Sequence, residues 1–219
     1  MKNFIKARSI TKYIIIIMAI LIGALIFTSC GKKAEVKKEL SKIETDPENR
    51  TVSITCETNG KFADKSTMHC IVFAKGGMNK LAMFTAHCTP EDFHDALVKA
   101  GGTPWNTTDD KLAAGEYTDG EVVDVTLTWK GQKEPVKLQD ILTTDKGDAD
   151  IDMRFSGNKK NTADCGSGCL MCLNSCWAGA ISNAAYPFDF IDSGKLQMKL
   201  NKDKAPKDGT KVKFTFKFR

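Results

Sequence analysis

Four cysteines, Cys165, Cys169, Cys172 and Cys176, stand within the run CGSGCLMCLNSC near the C-terminus. Thiolate sulfur is a soft donor that holds iron–sulfur clusters and zinc alike, and paired thiols can instead oxidise to disulfides. Offsets of 0, 4, 7 and 11 would place all four on one stripe of an α-helix. On a straight helix the outer two would be about 16 Å apart, too far for one cluster or one ion. A shared site therefore needs the chain to wrap, and Gly166, Gly168, Asn174 and Ser175 favour wrapping over a helix.

The spacing partly matches the bacterial ferredoxin run C-x2-C-x2-C-x3-C-P, with the first interval one residue longer and Trp177 in place of proline. The expected cofactor is a [4Fe–4S] cluster on Cys165, Cys169, Cys172 and Cys176, with zinc on the same residues as the alternative. Cys165, Cys169 and Cys172 also have the C-x3-C-x2-C spacing of radical S-adenosylmethionine enzymes, but too little chain follows to build their barrel. Cys169 and Cys172 form a C-x-x-C pair, yet no thioredoxin-like βαβ pattern surrounds it.

The N-terminus bears on the redox setting. MKNFIKARSITKY carries Lys2, Lys6, Arg8 and Lys12 without an acid and precedes IIIIMAILIGALIF, the layout of a secretory signal. Ile26 to Gly31 is similar to the lipobox of bacterial lipoproteins, which implies cleavage before Cys30 and acylation of its thiol. Several acyl chains on Cys30 would anchor the protein to the cell membrane on its extracytoplasmic face. The leader holds four of the 32 Lys and Arg and none of the 27 acids, so the remainder is nearly neutral. An oxidising exterior favours disulfides, but excluding Cys30 leaves seven cysteines, an odd number that cannot all pair within one chain.

The expected division is residues 1–29 as signal peptide, 30–50 as lipidated N-terminus and charged tether, and 51–219 as the folded domain. Within the domain, TVSITCET, MHCIVFAK and KLAMFTAHC alternate as strands do. Thr89-Pro90-Glu91-Asp92 reads as a helix start, with Phe93, Ala96, Leu97 and Ala100 as the buried face and Gly101 as the stop. Val123, Val125, Leu127 and Trp129 mark another strand, and KVKFTFKFR closes the chain with Val212, Phe214, Phe216 and Phe218 on one side. The pattern predicts an α+β fold: a mainly antiparallel sheet with one or two short helices and a cysteine-rich loop over 165–176.

His69-Cys70 and His87-Cys88 form a second, weaker constellation, in which Cys56, Cys70, Cys88 and His94 could share a bond or a metal; core packing or a structural disulfide is the simpler reading. No hydrolytic triad or phosphate-binding loop is evident. Basic residues alternate with acids, which gives no nucleic-acid footprint.

KGGMNKLAMFTAHCTPEDFHDALVKAGGTPWN, DVTLTWKGQKEPVKLQDIL, FSGN and APKDGTKVKF together resemble the YdjY-domain family over roughly residues 50–219. Some members of that family are labelled iron–sulfur or ferredoxin-like, and what that implies here rests on the cysteines. The chain is accordingly expected to be a membrane-anchored lipoprotein that exchanges electrons with a membrane redox partner. The alternative is a non-catalytic envelope binding or structural lipoprotein whose cysteines form disulfides or a zinc site. Either would be a carrier or binding protein rather than an enzyme.

Overall fold

The computed structural model describes residues 43–105 and 112–219. The leader, Cys30 and the tether up to residue 42 lie outside the described residues. Twelve strands follow in chain order: β1 (Glu44–Asp46), β2 (Thr51–Thr58), β3 (His69–Phe73), β4 (Phe84–Ala86), β5 (Glu121–Trp129), β6 (Val136–Lys137), β7 (Leu142–Thr144), β8 (Met153–Phe155), β9 (Cys169–Cys172), β10 (Ile181–Asn183), β11 (Met198–Leu200) and β12 (Lys211–Phe218). The two α-helices among the described residues are α1 (Pro90–Lys99) and α2 (Lys159–Asp164).

Eight strands form a closed barrel in the order β2-β12-β5-β8-β10-β9-β3-β4, and β4 returns to pair with β2. The parallel neighbours are β3 with β4 and β9 with β10. β2 serves two partners along one edge, since Thr51–Ser53 pair with β1 while Cys56–Thr58 pair with β4. β7 and β11 make a separate two-stranded sheet. The expected α+β architecture is thus replaced by a mostly-β barrel. An open sheet needs helices to cover its apolar face, and two short helices cannot do that; curling until the edges meet buries the face and removes the exposed edges together.

β12 shows how sequence alternation becomes a core. Val212, Phe214, Phe216 and Phe218 are buried and alternate with exposed Lys211, Lys213 and Lys217 and half-buried Thr215. Phe214 meets Phe84 of β4 edge-on at 4.9 Å between ring centroids. Phe216 meets Phe93 of α1, also at 4.9 Å, and Phe218 meets Phe155 at 5.8 Å. The helix begins as its residues dictate: Thr89 accepts a hydrogen bond from the Asp92 amide at 3.1 Å, and Pro90 occupies the first turn. Phe93, Ala96 and Leu97 are its buried apolar residues, Ala100 is buried behind them, and Gly101 stops it at φ +87°.

α1 also buries His94 against Phe155, with ring centroids 5.3 Å apart. Neither ring nitrogen has a hydrogen-bond partner among the described residues, and Asp95 stands 3.6 Å away, beyond hydrogen-bond reach. Burial pushes this imidazole below its ordinary range, an effect that Asp95 only partly opposes. The unfolded chain therefore takes up the proton more readily than the folded one. Stability should be full above about pH 6.5 and fall as pH drops through that value towards the depressed folded one. Urea midpoints measured from pH 7 down to about pH 5 should fall less steeply in His94→Leu than in the native chain.

Candidate metal centre

The cysteine run is neither a helix nor one continuous loop. α2 ends at Cys165, after which Gly166 and Gly168 take φ values of +62° and +78° and turn the chain into β9. There the backbone lies against the segment after β3: the Phe73 amide donates to Gly168 O at 2.7 Å and the Met78 amide to Ser167 O at 3.0 Å. A Cβ on Gly168 would sit 2.6 Å from the Cα of Gly76, closer than real atoms approach. Gly168→Ala is therefore expected to cost about 1–3 kcal/mol and to displace the entry to β9, visible as a lowered Tm.

Two bulges then aim the side chains. β3 and β9 pair His69 with Cys172, Ile71 with Met171 and Val72 with Cys169. Cys70 is thus an extra residue on β3, and Leu170 an extra residue on β9. In a regular strand, residues three apart face opposite sides, so Cys169 and Cys172 would point away from each other. The bulge at Leu170 resets the alternation and brings both sulfurs to the side that His69 occupies.

The ligand atoms of His69, Cys169 and Cys172 all lie within 4.8 Å of one another. His69 Nδ1 is 3.4 Å from Cys169 Sγ. Cys172 has Cys169 and Cys176 as its interacting thiol neighbours. Cys176 Sγ also accepts the Ala178 amide at 3.3 Å, and its carbonyl accepts the Ser182 hydroxyl at 3.0 Å. Cys169, Cys172 and Cys176 are buried, whereas His69 is half-buried. Cys165 is half-buried at the rim, with Sγ 3.1 Å from Ser167 Oγ, and Ser167 is itself hydrogen-bonded to Cys169.

The cluster has marked electrostatic asymmetry. The hydrogen bond from Cys172 holds Cys169 well below the ordinary thiol range against burial, with His69 and Ser167 adding to the effect. Cys172 is pushed up because it keeps its proton between two sulfur neighbours. Its hydrogen bond also lowers Cys176, helped by the Ala178 and Gly179 amides. Burial alone would lower His69, but the neighbouring Cys169, assisted by Asp192 and Cys176, raises it.

The second constellation does not assemble around its histidines. Cys56, Cys70 and Cys88 are buried thiols, with Cys56 raised first by burial and then by its two cysteine neighbours. Burial pushes Cys88 to about 12. His87 is exposed and His94 packs on Phe155. His69 instead joins the C-terminal cysteines, a role its local sequence does not disclose: its nearest ligand partner is a hundred residues away, and only the β3–β9 pairing brings them together. No disulfide links the seven described cysteines.

A family model for the YdjY domain matches residues 43–217. The chain is 34% identical over 177 residues to a protein of Escherichia coli (strain K12) named "Uncharacterized protein YdjY", covering 80% of this chain and 78% of that one. No solved structure matches it significantly. The chain belongs to the YdjY-domain family.

Proposed function

We propose that this YdjY-domain protein binds one thiolate-ligated metal ion of the zinc class through His69, Cys169, Cys172 and Cys176. The observation that carries the reading is the convergence of the His69, Cys169 and Cys172 donors within 4.8 Å. With Zn–S near 2.3 Å and Zn–N near 2.0–2.1 Å, two ligands of one ion cannot stand more than about 4.6 Å apart, so these three need only a slight closure, while Cys176, outside that group, must move in to supply the fourth bond. Cysteines of a [4Fe–4S] cluster bind different irons and must straddle the cube, which this spacing does not favour. Three sulfurs and one imidazole complete a tetrahedron of the kind found in closed structural sites, with no position left for substrate. The centre is therefore one of binding rather than catalysis.

The leader and Cys30 support an acylated protein on the extracytoplasmic face of the membrane, which would put the centre in the cell envelope. Radiolabelled fatty acid should enter the native chain and not Cys30→Ser; equal labelling would remove the anchor from the proposal.

The test of the centre is elemental analysis, with acid-labile sulfide, on protein purified without oxygen. About one zinc-class ion per chain and no sulfide is the expected result, retained in Cys165→Ser. About four irons and four sulfides per chain, lost in Cys165→Ser, would overturn the single-ion reading in favour of a cluster on the four cysteines.

A further inference from the structure

The His69, Cys169 and Cys172 donors make one group, each within 4.8 Å of the others, with Cys176 beside Cys172, and the two sides of this group differ. On the His69 side the wall is incomplete: His69 and Cys165 are both half-buried, and Ser167 bridges the rim to Cys169. On the other side Cys176 is held by the Ala178 amide and by Ser182. Gly179 closes in beside Cys172, where a Cβ would lie only 3.0 Å from its sulfur. Among the donor sulfurs, Cys169 is the one in contact with half-buried His69 and with Ser167 at the rim. The sulfur next to it is Cys172, within 4.8 Å of it.

We propose that Cys169 and Cys172 form a reversible disulfide switch, driven by a hydroperoxide, that expels the metal ion. The inference rests on the single-ion reading above and adds its regulation. Cys169 sulfur attacks the peroxide, the O–O bond breaks, one oxygen stays on sulfur as sulfenic acid and the other leaves as hydroxide or water. Cys172 sulfur then attacks the sulfenic sulfur, the S–S bond forms and water departs. Two cysteine thiolates lose two electrons in all, and the peroxide gains them. Closing to about 2.05 Å removes both sulfurs as ligands, leaving only His69 and Cys176, too few to retain the ion. A dithiol restores the site by attacking the S–S bond and becoming a disulfide itself. Because β9 is held by backbone pairing to both β3 and β10, the barrel should survive the change.

The experiment treats the zinc-loaded full chain with stoichiometric hydrogen peroxide beside a chromogenic zinc indicator and maps disulfides by peptide mass spectrometry. Release of essentially all the zinc, one disulfide joining Cys169 to Cys172, and re-uptake after dithiothreitol is the expected result, unchanged in Cys165→Ser. Zinc retained under peroxide, or a disulfide formed through Cys165 or Cys176 instead, overturns the switch while the metal centre stands. A chain that binds no zinc before treatment overturns both.

Discussion

Cys172→Ser is expected to lower zinc affinity by more than about 100-fold, beyond the 10- to 100-fold typical of losing a supporting residue around a site. Cys172 belongs to the group of donors within 4.8 Å and interacts with both Cys169 and Cys176, so its loss removes the donor that links the other two sulfurs. Serine keeps the size but replaces a soft sulfur by a hard hydroxyl that does not ionise near neutrality. Competition with a chelator of known affinity reads the change. Cys165→Ser should leave affinity within a few-fold, because Cys165 faces Ser167 at the rim. Comparable losses in the two variants would mean that the four cysteines act together and that His69 is not the fourth ligand.

Phe214→Ala should be the most damaging of the core changes, costing about 3–5 kcal/mol. Phe214 is fully buried, lies edge-on to Phe84 and is backed by Phe216 at 6.3 Å. It sits on β12 and Phe84 on β4, the two strands that flank β2 where the barrel closes. The void would therefore open at the closure itself. A fall in Tm of roughly 10 °C is expected in a domain of this size. A drop of only a degree or two would show that the barrel wall can collapse around the missing ring.

Much of the local structure was legible because strand and helix patterns repeat over a few residues. The alternation in KVKFTFKFR identifies the buried face of β12, and Thr89 with Pro90 marks where α1 begins. Barrel closure was not legible. Pairing of Cys56–Thr58 with β4 leaves no mark on either strand's apolar pattern, because backbone hydrogen bonding does not depend on side-chain type. The α+β expectation failed on that point: β2, β3, β4, β5 and β12 were legible, but β9 was expected as part of a cysteine-rich loop, and nothing local says that a sheet's two edges meet.

The candidate site divides in the same way. The sequence by itself determined the family, the supply of soft sulfur donors in CGSGCLMCLNSC, and the glycines that keep that run from being a helix. Only the tertiary structure decided which donors face one another. Two bulges, at Cys70 and Leu170, turn Cys169 and Cys172 to one side and bring His69 to them, while Cys165 stays at the rim. A bulge is set by how two distant strands accommodate each other's twist and length, so its effect on side-chain direction exists only once β3 and β9 have paired.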